Sequence, residues 1–137
     1  MKLSEEELFQ AISRRRSVRN YSMENLGSEE LSNIRSLLKN PKKFDSDVST
    51  AAHLIADGRG FKQDISGIIG SYGKVESPHY LILTAEAGRR GYLEIGYRYE
   101  FVVLALAVRD IATCWIGKGF RGVVRGHVDL AEDQEPR

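Results

Sequence analysis

At 137 residues, 42% hydrophobic and 28% charged, the chain has the make-up of one ordinary soluble globular domain, too short for two and too mixed for a disordered or fibrous class. A net charge of +1 excludes a general electrostatic drive toward nucleic acid or an anionic membrane, although charge can still gather locally. A single cysteine, Cys114, excludes an internal disulfide and fits a reducing cytoplasm.

The opening segment MKLSEEELFQ carries three glutamates where a secretory leader would need an apolar run, so no leader is expected. Residues 4–16 instead predict a helix with a well-specified start. Ser4 as N-cap and Glu7 three residues on make a capping box, and Leu3 and Leu8 are spaced for a hydrophobic staple. Leu8, Phe9 and Ile12 form the apolar stripe, and Arg14, Arg15 and Arg16 crowd the C-terminal end, where the helix dipole favours cations. SVRNYS (17–22) then runs extended. A second helix is expected with Ser28 as N-cap, Glu29 and Glu30 in its first turn, and Leu31, Ile34, Leu37 and Leu38 inward. It stops before Asn40-Pro41, because the residue preceding a proline is pushed out of the α region.

Residues 41–48 read as loop and 49–57 (STAAHLIAD) as a strand. The glycine-rich stretch 58–77 predicts a short helix around 62–69 and then irregular loop. HYLILTA (79–85) has the strongest strand pattern in the chain. From residue 92 a helix opens with a polar side, where Glu94 and Arg98 stand four apart in the order that favours an ion pair, with Glu100 beside them. Residues 101–108 (FVVLALAV) are apolar all round, which a surface helix does not tolerate. Eight residues fall short of the roughly 20 that span a bilayer, so this half is expected to be a core helix enclosed on every side. IATCWIGKGF follows as a short strand over 111–116, broken at Gly117 and Gly119. One more strand is expected near 123–130, before a charged, proline-bearing tail. Helices and strands without regular βαβ alternation argue for α+β: a central buried helix packed on a small mixed sheet.

The densest chemistry lies in Arg14, Arg15, Arg16, Ser17 and Arg19. These cations either decorate a helix end or form an anion site. The planar guanidinium fork binds phosphate bidentately, Ser17 adds a donor, and an extended SVR sets Ser17 and Arg19 on one side of the chain. The cluster suits a phosphomonoester better than a nucleic-acid track, which would want further basic and stacking aromatic residues than Tyr21 alone. Residues 117–122 (GKGFRG) match G-x-G-x-x-G but fail on context. A dinucleotide fingerprint opens a helix inside a βαβ unit and needs an acidic residue about 20 positions on, whereas VVRGHVDL is strand-like. His53, His79 and His127 stand far apart, so no metal site is expected. Cys114 reads as a small buried hydrophobe and Trp115 as packing. No side chain presents itself as a catalytic acid, base or nucleophile; any enzymatic chemistry is expected to come from a cofactor.

Three patches, in order along nearly the whole chain, resemble the FMN-dependent nitroreductases, and within them most closely the "putative nitroreductase" branch. AISRRRSVRNYS is similar to the family's Arg-x-Ser-x-Arg entry, SYGKVESPHYLILTAE to the branch's Tyr-Gly loop and following strand, and YLEIGYRYEFVVLALAVRDIATCWIGKGF to its core helix and TCW-I-G turn. The resemblance implies that Arg15, Ser17 and Arg19, with Arg16 adjacent, hold the FMN phosphate and ribityl chain. It implies that Trp115, Ile116, Gly117 and Lys118 lie along the isoalloxazine, with the Gly117 N–H toward flavin N5. It further implies ping-pong transfer of two electrons from NAD(P)H (NADH or NADPH) to a nitroaromatic or quinone.

Relatives are longer, and their flavin sites lie between two subunits or fused halves. Residues 1–137 are therefore expected to be one nitroreductase-like domain, C-terminally truncated relative to the family. Its expected partners are a small-molecule acceptor and a second copy or half-domain, with neither nucleic acid nor membrane. The helix over 101–108 points the same way, since two short amphipathic helices and about three strands offer few walls for it. Two other readings stay open: a non-catalytic remnant serving as an interaction module, and a small phosphoanion-binding module built on the arginines.

Overall fold

The structure, a computed structural model, describes residues 3–65, 76–117 and 134–136. Its scaffold grows from one strand and one helix. Tyr80–Glu86 (β2) is rich in β-branched and aromatic residues and is almost wholly buried. It pairs antiparallel with Thr50–Ile55 (β1) on one side, Ala52 opposite Leu83, and with Gln134–Pro136 (β3) on the other. The expected proline-bearing tail is thus partly an edge strand, a position where Pro136 can lack an N–H without breaking a central ladder. The strand expected at 123–130 lies outside the described residues.

Arg89–Val108 (α4) crosses one face of this sheet, beginning three residues before the expected start at Tyr92. Leu83 and Ala85 meet Ile95, Tyr99, Val102 and Leu106 there, joined by Ile34 of Ser28–Lys39 (α2). The helix can sit close because Gly91 has no side chain: a methyl there would run into the Glu86 carbonyl and come within 3.1 Å of the Ala85 Cβ. On the other face, Phe61 of Gly58–Ile65 (α3) tilts against Tyr80, ring centroids 5.0 Å apart. That helix starts four residues earlier than expected, and residues 66–69 lie outside the described ones.

The expected α+β architecture, a buried central helix on a small sheet, is what the chain forms; among the described residues that sheet is antiparallel rather than mixed, and four further details depart from the sequence reading. Gly27 rather than Ser28 is the N-cap of α2, and Ser28 is its first helical residue. In Glu5–Arg14 (α1) the capping box is present, Ser4 Oγ accepting from the Glu7 N–H at 3.1 Å. Yet Phe9 and Ile12 are 74% and 60% exposed. The helix packs on α4, and its covered face carries half-buried Leu8 and fully buried Ala11, three residues apart, which leaves Phe9 and Ile12 turned outward. The apolar half of α4 is not enclosed on every side: Val102, Val103, Ala105 and Leu106 are buried, whereas Phe101, Leu104, Ala107 and Val108 are half-buried.

The fourth departure is the polar side of α4, which is interior. Glu94 and Arg98 are 1% and 3% exposed. The Glu94 carboxylate accepts from Arg98 Nε at 2.6 Å and from the backbone N–H groups of Phe44 and Asp45, both at 2.8 Å. Arg98 also donates to Thr50 Oγ1 and to the carbonyls of Asp45 and Val48. The loop over 41–48, which has no regular structure of its own, is held to the core by this pair.

Candidate functional site

At the C-terminus of α4 the chain reverses through a Schellman motif. The Ile111 N–H reaches back to the Leu106 carbonyl at 2.9 Å and the Asp110 N–H to the Ala107 carbonyl at 3.0 Å. Ile111 then packs against the core that contains Leu106, the hydrophobic contact that usually accompanies this cap. Asp110 occupies the left-handed position with φ of 60°, a place that favours glycine. Aspartate tolerates it better than most residues but still pays a steric cost. Asp110→Gly should therefore stabilise the protein, by about 1 kcal/mol, read as a rise in the urea midpoint at unchanged m-value; a fall would show that the aspartate side chain has a structural task.

This cap aims residues 112–117 outward and sets them beside the N-terminal arginines. The expected strand over 111–116 reduces to a single parallel bridge, Thr113 with Ser17, in which the Val18 N–H donates to the Thr113 carbonyl at 3.1 Å. A lone bridge is what two extended segments form when neither has a second neighbour to complete a ladder. A further parallel bridge joins Asn20 to Glu76, so the expected extension of 17–22 holds. Two segments from opposite ends of the chain, chosen separately on sequence grounds, are thereby in contact.

The expected site residues fall into three groups. Arg15 caps α1 through its backbone N–H, and its side chain turns inward: Nε and one terminal nitrogen are buried and have no hydrogen-bond partner among the described residues. A buried guanidinium left unsatisfied is costly and calls for an acceptor. Ser17 is half-buried at the bridge, whereas Arg16 and Arg19 are exposed. In the second segment Ile116 is half-buried and Gly117 exposed, with open space where a Cβ would point. Trp115 is 37% exposed rather than packed inside, and its indole N–H donates to a Glu100 carboxylate oxygen at 3.0 Å. Cys114 is likewise half-buried, not fully buried. Lys118, together with the rest of the glycine pattern to residue 122, lies outside the described residues.

Tyr21 was legible only as an aromatic near the arginines. Burial, and then the Cys114 thiol, push its phenol up to about 12, while Arg15 and Arg19 pull it down. It is thus neutral at physiological pH and within electrostatic reach of both segments. A cavity of about 380 Å³ opens beside them, lined among others by Tyr21, Tyr99, Val102, Leu106, Cys114 and Trp115. Its size suits a small molecule, and its mixture of apolar walls with a few polar groups is usual for such sites. None of Arg15, Arg16, Ser17, Arg19 and Gly117 lines this cavity; the arginine segment meets it only through Thr113, which bridges to Ser17, and Tyr21, which feels the charge of Arg15 and Arg19. Among the described residues no helix is long and apolar enough to cross a membrane.

Over residues 7–130 the chain matches the family model described as "Putative TM nitroreductase". Solved structures share the fold. A nitroreductase with bound FMN from Bacteroides fragilis superposes with a TM-score of 0.72 at 18% identity, covering 95% of this chain and 83% of that one. A "Putative NADH dehydrogenase/NAD(P)H nitroreductase" from Bacteroides thetaiotaomicron gives 0.72 at 17%, covering 94% and 80%. A nitroreductase family protein from Clostridium novyi gives 0.71 at 15%, covering 94% and 79%. No curated protein sequence matches the chain.

Proposed function

This chain belongs to the TM nitroreductase family, matched over residues 7–130, and from that premise we propose that it is an FMN-dependent oxidoreductase passing two electrons from NADH or NADPH to a nitroaromatic or quinone-type acceptor. The observation that supports the reading is the hydrogen bond from the Val18 N–H to the Thr113 carbonyl, which joins the arginine segment to the stretch leading into the 115–117 turn. Held here, FMN would supply the two-electron chemistry between the nicotinamide and the acceptor.

The protein's own part is to hold and orient. Arg15 would neutralise the phosphate with the two guanidinium nitrogens that have no partner among the described residues. Ser17 donates to the phosphate or ribityl oxygens, and Arg16 and Arg19 add positive field from the exposed side. Gly117 would present backbone to the ring edge, its N–H serving as a donor toward the flavin ring, and Lys118, outside the described residues, is assigned to the same turn by the resemblance alone. The open space at Gly117 fits a flat ring approaching closely. The NAD(P)H donor takes support from the description of the B. thetaiotaomicron neighbour, and FMN from the B. fragilis one. The exposed Phe9 and Ile12 support a second copy of the chain as partner. We place the activity in the cytoplasm, in keeping with the unpaired Cys114.

The test is direct. Protein reconstituted with FMN should be yellow after gel filtration, release FMN on denaturation, and bleach under NADH or NADPH without oxygen. Gly117→Val should keep the fold, since a Cβ there meets nothing, and lose stoichiometric flavin because the added side chain fills the ring's approach. Unchanged flavin reduction in a folded Gly117→Val protein would exclude this turn as the ring site.

A further inference from the structure

From Cys114 to Gly117 the chain is tied to the rest of the described molecule by few polar contacts. The Cys114 thiol donates only to the adjacent Trp115 carbonyl, at 3.5 Å. The hydrogen bond that leaves the segment is the one from Trp115 Nε1 to Glu100 Oε2, at 3.0 Å. Glu100 is a half-buried carboxylate at the edge of the apolar half of α4, where core packing has no use for a charge. The indole N–H is a donor only and needs an acceptor. Its partner here is anchored on the most buried helix of the fold, so the indole is fixed relative to the core while one edge stays in solvent.

We propose that Glu100 is the positioning residue of the 115–117 turn: its carboxylate holds the Trp115 indole and, through it, the backbone that faces the flavin ring. The inference rests on the reading of that turn as the ring site. Glu100 itself need not touch the ring. Without its acceptor the indole leaves its place, and two residues later the Gly117 N–H is no longer aimed. Because the effect falls on the ring end of the ligand, it is the same for FMN and for riboflavin. An amide oxygen accepts as a carboxylate does, so glutamine at 100 preserves the contact and alanine does not.

Trp115 is the single tryptophan of the chain, so its emission reads the contact directly in flavin-free protein. Glu100→Ala should shift that emission to longer wavelength and raise its quenching by acrylamide, while Glu100→Gln stays near wild type. In titrations, Glu100→Ala should weaken FMN and riboflavin equally, by about threefold to tenfold, the scale of one hydrogen bond, with Glu100→Gln restoring both. Trp115→Phe removes the donor from the other side and should weaken both flavins alike, and adding Glu100→Ala to it should cost nothing more. If Glu100→Ala does not fold, Trp115→Phe and Glu100→Gln carry the test. Unchanged emission in Glu100→Ala, or full flavin affinity in Trp115→Phe, overturns the proposal alone. A folded wild type that binds neither flavin overturns the reading of the turn, and the proposal with it.

Discussion

Replacing Arg98 with alanine should cost about 3–5 kcal/mol of stability, the loss that follows when one member of a buried ion pair is removed. That is a large share of the roughly 5–15 kcal/mol that holds a domain together. A solvent-exposed pair with the same i,i+4 spacing would lose only about 0.3–0.5 kcal/mol. The structure decides between these figures: both side chains are buried, and together they satisfy two backbone N–H groups and two carbonyls of the loop over 44–48. Chemical denaturation at neutral pH measures the difference, and a loss below about 1 kcal/mol would show that the pair is solvated after all.

The same pair predicts a sensitivity to acid with a definite sign. Burial pushes the Glu94 carboxyl up, but hydrogen bonds from Arg98, Phe44 and Asp45 together outweigh it and hold the group below its ordinary value. A carboxylate whose folded pKa is depressed contributes stability above its unfolded pKa and loses it as the pH falls through the folded value. The gap in stability between wild type and Glu94→Gln should therefore be widest near neutral pH and close below about pH 4. A gap that is constant with pH would mean that folding leaves the pKa of Glu94 unchanged, and one that shrinks as pH rises would mean that the buried group is held neutral.

Arg15 carries the second large effect, and its signature is a conflict between binding and stability. Arg15→Met should weaken FMN by about 10- to 150-fold, the equivalent of the 1.5–3 kcal/mol that a hydrogen bond to a charged group contributes. Riboflavin, which lacks the phosphate, should be nearly indifferent. The flavin-free protein should be as stable as wild type or more so, because an apolar side chain of similar length replaces a buried cation whose Nε and one terminal nitrogen have no partner among the described residues. Exposed Arg19 should matter less, since water and salt screen it. Equal losses for FMN and riboflavin in Arg15→Met would remove Arg15 from the phosphate site.

The arginine segment and the 115–117 turn stand out in the sequence alone, because arginine clusters and a glycine after an apolar run are local patterns. Trp115 and Glu100 could not be paired that way. Glu100 falls beside Glu94 and Arg98 on a polar stretch, and nothing local distinguishes a carboxylate that receives an indole from one that faces water. Tyr21 was hidden for a similar reason: its raised phenol comes from neighbours contributed by distant segments.

By itself the sequence determined what a few neighbouring residues can decide. The capping box at Ser4 and Glu7, the stop of α2 before Asn40-Pro41, the strand at Tyr80–Glu86 and the apolar half of α4 all follow from spacings within one or two turns or one strand. Tertiary structure alone decided which faces were covered. Phe9 and Ile12 look like core and lie outside, because the covered face of α1 is the one that carries Ala11. Glu94 and Arg98 look like surface and lie inside, because a loop fifty residues away in the chain needs its backbone groups satisfied. Charge and hydrophobicity set the cost of burial for each side chain, but the partner that offsets that cost comes from elsewhere in the chain, and only the folded arrangement supplies it.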